Sequence, residues 1–263
     1  MVLFNILCLA NSKKLGGRCL AGMTWPDLGT WIRPIEPTRE HGEVPSHRAE
    51  VDTPEGRRPI RPLDVISVEL LEPVRAPAQP ENWILGSTPI TLVEVLEPTE
   101  AANRLRFVAD NSSSVFGLGG SREIPESEAS RGLPKSIALF EVDSLLFAKD
   151  DYNKWRLNFR FNGLSHDEFP ISDFDLLDDL EGRGSSQVAS ERRWFLTISL
   201  VLPFKGSRWL TIAAGMPIGY KTPKSKPSYW ITCPNRNCGQ KNLRTIVERS
   251  VLNGRCWSCK RSL

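Results

Sequence analysis

Four cysteines in the C-terminal part of the sequence have the spacing of a metal site. Cys233 and Cys238 are separated by four residues, Cys256 and Cys259 by two, and 17 residues lie between the two pairs. A structural Zn²⁺ takes four ligands in a tetrahedron, and two tight turns that each present two thiolates can supply them. The spacing predicts a zinc ribbon at residues 229–263 with one structural Zn²⁺. So short a segment is too small to build its own core, so the metal would hold it together.

The rest of the sequence offers no catalytic motif of similar clarity. His41, His47 and His166 are isolated, and neither a His-x-Glu metal motif nor a Ser-His-Asp arrangement is visible. The stretch Gly117-Leu-Gly-Gly-Ser lacks the Lys-Ser/Thr pair that completes a phosphate-binding P-loop. The sequence therefore favours a non-catalytic protein, although an enzyme stays open.

The net charge of +3 hides a strong asymmetry along the chain. Residues 205–263 contain twelve Lys and Arg and one acid, Glu248, which gives +11. Residues 1–204 contain 22 basic and 30 acidic groups, which gives −8. A basic segment beside an acidic body suggests a polyanionic partner, most simply nucleic acid. The alternative is that the ribbon docks on the acidic body of its own chain.

Outside the cysteine region, the pattern is typical of a β protein. Short alternating segments end at prolines, and little of the chain has helical periodicity, which favours small β-barrels or a sandwich. We expect domains at residues 1–135 and 136–220, followed by a Pro- and Lys-rich linker at 221–228. No apolar run approaches the roughly 18 residues of a membrane helix, and the apolar start lacks a basic n-region. These features predict a cytoplasmic protein without a membrane partner.

Several segments resemble a known family. They are Cys8-Leu-Ala-Asn-Ser-Lys-Lys-Leu-Gly-Gly-Arg-Cys-Leu-Ala-Gly22, Gly29-x-Trp-Ile-Arg-Pro34, Arg61-Pro-Leu-Asp-Val65, Gln79-Pro-Glu-Asn-Trp83 and Leu196-Thr-Ile-Ser-Leu-x-x-Pro-Phe204. Over residues 3–217 the chain is similar to the dual OB-containing domain of bacterial proteins. The resemblance implies two OB-like β-barrels in tandem with short helices, and it suggests a component of a prokaryotic defence system. The cysteine region lies outside it.

An OB barrel binds single strands with a basic groove and aromatic platforms. We therefore expect a basic binding loop from Asn11 to Arg18 and further contacts in both halves and the tail. The candidate ligand-binding residues are Asn11, Ser12, Lys13, Lys14, Arg18, Trp31, Arg33, Lys205, Arg208, Lys221, Lys224, Lys226, Arg236 and Arg244. Alternatively, Trp31 belongs to the core, and Asn11 and Ser12 only shape a turn.

These observations together predict a non-catalytic protein that binds single-stranded DNA or RNA, with a possible protein partner at the zinc ribbon. The alternative is a sensor or adaptor that binds a small nucleotide, or a partner protein, on behalf of an enzyme encoded elsewhere. A steep salt dependence of binding would favour the first function. Tight binding of a mononucleotide with a shallow salt dependence would favour the second.

Overall fold

The computed structural model describes residues 2–74, 76–183, 185–190 and 192–218, and the backbone of Ser228–Thr232 and Lys241–Thr245. The chain divides into two compact units, residues 1–220 and 221–263. The four predicted zinc ligands and the candidates Lys221, Lys224, Lys226 and Arg236 lie outside the described residues. Within the described part of the chain, no helix is both long and apolar enough to cross a membrane.

The first part of the chain is built from eight strands. They are β1 (Val2–Lys14), β2 (Gly17–Thr24), β3 (Trp31–Ile35), β4 (Glu50–Thr53), β5 (Gly56–Pro59), β6 (Asp64–Pro73), β7 (Asn82–Leu85) and β8 (Thr91–Val95). Six of them form one sheet in the order β1-β2-β3-β7-β6-β8, while β4 and β5 pair with each other. Strand β1 also pairs with β6, which closes β1, β2, β3, β7 and β6 into a five-stranded barrel. The β3–β7 pair is parallel, and the other pairs of this sheet are antiparallel.

Residues 6–10 of strand β1 are buried on both faces of the sheet, which explains the unbroken apolar run in this part of the strand. Ile6 and Cys8 face the core of the first barrel. Leu7 and Leu9 lie in a second cluster, which includes residues of α1 (Pro98–Leu105) and Phe195 from the second half of the chain. Because successive side chains of a strand point to opposite faces, a strand covered on both sides needs apolar residues at every position.

The second part of the chain forms an open sheet. Its elements are β9 (Glu123–Pro125), α2 (Glu126–Ala129), β10 (Ile137–Lys149), β11 (Trp155–Phe161), β12 (Leu164–Pro170), α3 (Phe174–Gly182), β13 (Gln187–Ser190), β14 (Trp194–Phe204) and β15 (Ser207–Pro217). The strand order is β12-β11-β10-β14-β15-β9, with β13 paired to β10. This arrangement is a half-barrel beside the closed one. The predicted mainly β fold with few helices is confirmed.

Aromatic side chains fill the second core. Strand β11 alternates as its sequence indicates, with Trp155, Leu157, Phe159 and Phe161 all buried. His166 is fully buried in the same core, its ring stacked on Phe159 at a centroid distance of 5.1 Å. Neither of its ring nitrogens has a hydrogen-bond partner among the described residues.

Polar contacts join the two sheets within the first unit. Thr197 Oγ1 of β14 donates a hydrogen bond to the carbonyl of Leu9 in β1, at 2.7 Å. The carboxylate of Glu81 accepts bonds from Ser136 N and Oγ, at 2.6 and 2.8 Å. These bonds are buried, so the two sheets are held in one register relative to each other.

In the second unit, β16 (Ser228–Thr232) and β17 (Lys241–Thr245) pair in antiparallel fashion, with Thr232 opposite Lys241. Cys233 and Cys238 belong to the sequence between these strands. The candidate Arg244 lies in β17, where only its backbone is described.

Candidate functional site

Arg33 is a buried arginine without a charge partner. It lies in β3, is 1% exposed, and its backbone N–H donates to the carbonyl of Glu81 at 2.8 Å. Its Nη2 donates to Ser199 Oγ at 3.1 Å, while Nε and Nη1 have no partner among the described residues. A guanidinium does not lose its proton in proteins, so the positive charge persists. Burying such a charge unpaired is costly, which indicates an acceptor that the described chain does not supply.

The arginine lines a cavity of about 380 Å³ between the closed barrel and the half-barrel. We call this cavity the Arg33 pocket. Lys13 and Lys14 at the end of β1 also line it, and none of the described residues that line it is acidic. Three cations without a carboxylate give the pocket a positive potential, as an anionic ligand requires.

Lys14 lies deeper in the Arg33 pocket than Lys13, which is exposed. Burial lowers the pKa of Lys14 below its usual value, and the nearby Arg33 charge lowers that pKa further, against opposing contributions from Cys19 and Glu43. A bound anion would relieve both effects, because it replaces lost hydration and offsets the second cation.

Hydroxyl groups form the polar part of the wall that the second sheet contributes. Thr211 Oγ1 donates to the carbonyl of Pro170 at 2.9 Å, and Ser172 Oγ donates to the carbonyl of Ile212 at 3.1 Å. Lys13 N also donates to the carbonyl of Ser172 at 2.9 Å. This wall is therefore tied both to its own sheet and to β1.

Two hairpin turns lie beside the mouth of the pocket. Leu15-Gly16 joins β1 to β2, and Lys205-Gly206 joins β14 to β15. All four residues have positive φ, between 41° and 85°, as two-residue hairpin turns of type I′ require. Next to these turns, Leu15 and Phe204 line the pocket with side chains that are 61% and 62% exposed. Exposed apolar groups beside buried cations suit a ligand with one charged end and one flat apolar end.

The predicted binding loop from residue 11 to residue 18 is wrong in its extent. Strand β1 continues to Lys14 and leaves only two residues in the turn. Asn11 is buried, its Nδ2 donates to the carbonyl of Ile60 at 2.6 Å, and it does not line the pocket. Arg18 stacks on the ring of Phe174 with its Cζ at 3.6 Å from the centroid, and it does not line the pocket.

Other candidates are also apart from the pocket. Trp31 is half-buried and packs against the core between the sheets, in agreement with the alternative stated for it. Arg208 forms two hydrogen bonds with the carboxylate of Glu126, at 2.6 and 3.0 Å, so its charge is matched. Lys205 has its Nζ 5.3 Å from the ring centroid of Phe204, beside the mouth. The structure thus brings Ser12, Lys13, Lys14 and Arg33 together.

The sequence did not single out several other residues that line the pocket. Gln79, Ser199 and Phe204 fall in segments used above only for the family resemblance. Ser172 and Thr211 carried no signal at all, because isolated hydroxyl residues are common in and beside strands. Four of the five segments that carry the resemblance therefore contribute residues to one pocket, although they are far apart in the chain. They are residues 8–22, 29–34, 79–83 and 196–204.

A closed five-stranded barrel, joined to a half-barrel with a basic pocket between them, defines a protein of the small β-barrel class. The family model of the dual OB-containing domain matches residues 4–215, and the chain belongs to this family. No curated protein and no solved structure matches the chain. OB folds bind oligonucleotides and oligosaccharides on their strands and loops, so the family suggests nucleic-acid or nucleotide binding in general.

Proposed function

We propose that the protein binds single-stranded nucleic acid without catalysing a reaction, and that the Arg33 pocket holds one nucleotide of the strand. The observation that carries this proposal is the buried guanidinium whose Nε and Nη1 lack acceptors among the described residues. Phosphate oxygens are strong acceptors for arginine, and charge-assisted bonds of this kind are about twice as strong as neutral ones.

The mouth of the pocket supports a nucleotide over a simple anion. Phe204 is exposed there, with Lys205 over its ring, and Leu15 lies on the other hairpin. Proteins that bind single strands combine a basic track for the backbone with aromatic side chains on which bases stack. Both parts are present in the Arg33 pocket and its mouth.

A second candidate function, sensing of a free mononucleotide, is favoured by the size of the pocket. A cavity of about 380 Å³ lies near the lower end of the range for small-molecule sites, which begins at roughly 300 Å³. The two functions differ in counterion release. A strand contacts several cations and its affinity falls steeply with salt, whereas a mononucleotide contacts few.

The test is fluorescence anisotropy with labelled 12-residue DNA and RNA single strands across a salt series. Lys13→Ala should flatten the slope of log K against log salt by about 0.7, the value for one lost phosphate contact on a single strand. Lys154→Ala is the matched control, because Lys154 is an exposed lysine outside the pocket. Equal slopes for both variants would contradict the assignment of Lys13. Absence of binding to every strand would refute the strand-binding function.

Membership in a defence system, and a protein partner at the zinc ribbon, stay predictions of the sequence. Analysis of what co-purifies with the protein would address the ligand and the protein partner. Nuclease-sensitive absorbance at 260 nm would support a nucleic-acid ligand, and a stoichiometric protein would support an adaptor.

A further inference from the structure

The donors left open in the Arg33 pocket suggest which part of a nucleotide enters it. Of the five N–H donors of a guanidinium, the described residues accept only one, which runs from Nη2 to Ser199 Oγ, while Nε and Nη1 have no acceptor among them. They are screened from solvent, since Arg33 is only 1% exposed. A ligand group that reaches them must leave water completely and must bring several acceptor oxygens.

We propose, on the basis of the nucleic-acid or nucleotide function above, that the Arg33 pocket receives a terminal phosphate, the phosphomonoester of a strand end or of a free mononucleotide. A monoester has three unesterified oxygens with which to accept bonds from Arg33 and Lys14. An internal phosphodiester has two, and its chain must leave the pocket in two directions.

The charges of the pocket also match a monoester. Phosphomonoesters carry about −1.5 to −2 at neutral pH because their second pKa is near 6. Arg33 and Lys14 are the two cations of the inner pocket, and Lys13 is exposed. Arg33, which is buried, and Lys14, which is partly buried, together match a doubly charged group, whereas a diester carries only one negative charge. Beyond the phosphate, the sugar and base would lie toward the exposed Leu15 and Phe204.

The competing explanation is that ordered water alone satisfies Arg33, as buried waters commonly do for polar groups in proteins. If ordered water satisfies Arg33, the affinity for a strand should not depend on a terminal phosphate. If the Arg33 pocket binds the phosphate, phosphorylated strands should bind more tightly.

The experiment compares three 12-residue strands of one sequence, with a 5′-phosphate, with a 3′-phosphate, or with hydroxyls at both ends, each labelled at a position away from the phosphate. We expect one phosphorylated strand to bind at least tenfold more tightly than the hydroxyl strand. Arg33→Met and Lys14→Gln should each reduce that preference to less than threefold. The control Arg183→Met should keep it, because Arg183 is half-exposed, pairs with Asp179 in its own helix and lies outside the Arg33 pocket.

A second arm separates a strand end from a free nucleotide, with the adenosine monophosphates and adenosine as probes in calorimetry. A monophosphate that binds at least tenfold more tightly than adenosine supports the proposal even if no strand binds, in which case only strand binding fails. Equal affinity of all strands, with binding still dependent on Arg33, would overturn the terminal phosphate and leave the proposed function standing. A phosphate preference that survives in both Arg33→Met and Lys14→Gln would also overturn it.

Cys19 provides a readout within the site. It lines the pocket and is partly exposed, whereas Cys8 is buried and serves as an unreactive internal reference. Alkylation with iodoacetamide, followed by peptide mass spectrometry, should be at least fivefold slower at Cys19 under saturating phosphorylated strand than under the hydroxyl strand at equal concentration. Equal rates at Cys19 would place the phosphate elsewhere and overturn the proposal.

Discussion

Replacement of Arg33 by methionine should stabilise the ligand-free protein while it weakens ligand binding. Arg33 is 1% exposed, and among the described residues its guanidinium bonds to no carboxylate and donates only to Ser199. Methionine has similar length and is apolar, so Arg33→Met keeps most of the packing and removes the buried charge.

The expected change in the free energy of unfolding is the difference of two opposing contributions. Burial of an ion leaves a penalty of several kcal/mol after relaxation, and Arg33→Met removes that penalty. The lost bond from a charged donor to Ser199 is worth about 1.5–3 kcal/mol. The expected net gain is about 1–2 kcal/mol, from the difference of these terms. For a chain of this size that corresponds to an increase in Tm of roughly 2–8 °C.

Thermal unfolding without ligand measures the stability of Arg33→Met, and fluorescence anisotropy with a labelled single strand measures its affinity. Ser199→Ala is the matched control, since it removes the acceptor of Nη2 and leaves the charge in place, and it should lower Tm. If Arg33→Met lowers Tm by several degrees and leaves affinity unchanged, Arg33 is a structural residue satisfied within the protein. The assignment of Arg33 as a ligand-binding residue would then be refuted.

Three further predictions concern other parts of the chain. Burial lowers the pKa of His166, so on acidification the unfolded chain takes up the proton first and the stability of the fold decreases below about pH 6.5. His166→Phe should therefore make the decline of Tm between pH 7 and 5 shallower. Parallel plots of Tm against pH for the variant and the wild type would contradict this. One Zn²⁺ per chain is expected from elemental analysis, and Cys256→Ser should release it without lowering the Tm of the first unit; zinc-free protein would refute the ribbon. Truncation before Lys221 removes ten of the twelve basic residues of 205–263 and should flatten the salt slope of binding; an unchanged slope would assign the tail another role.

The general fold could be predicted because its signals are local. The alternation in β11 places Trp155, Leu157, Phe159 and Phe161 on one face, and the structure buries all four. The closure of the first barrel could not be predicted, because it depends on the pairing of β1 with β6, about 60 residues away. Periodicity indicates that a strand exists but not which strand lies beside it.

The misjudged loop has a physical explanation. Asn, Ser and Lys followed by two glycines are typical turn residues, and by local preference they favour a loop. Tertiary contacts override that preference. Asn11 donates to the carbonyl of Ile60, and Lys13 N donates to the carbonyl of Ser172, so the extended backbone finds partners on both sides. The separation of the basic residues into Lys13 and Lys14 at the pocket and Arg18 on Phe174 depends on the second half of the chain.

The neighbours of Arg33 explain how the fold keeps its charge available. Glu81 is close in the structure, since its carbonyl accepts the Arg33 N–H, and its carboxylate would be the natural partner of the guanidinium. That carboxylate is instead bonded to Ser136 N and Oγ at the start of the second sheet. The Glu81 carboxylate therefore helps to hold the two sheets together. The same junction forms the Arg33 pocket, so a ligand there would meet Arg33 and Lys14 from one sheet and Phe204 from the other.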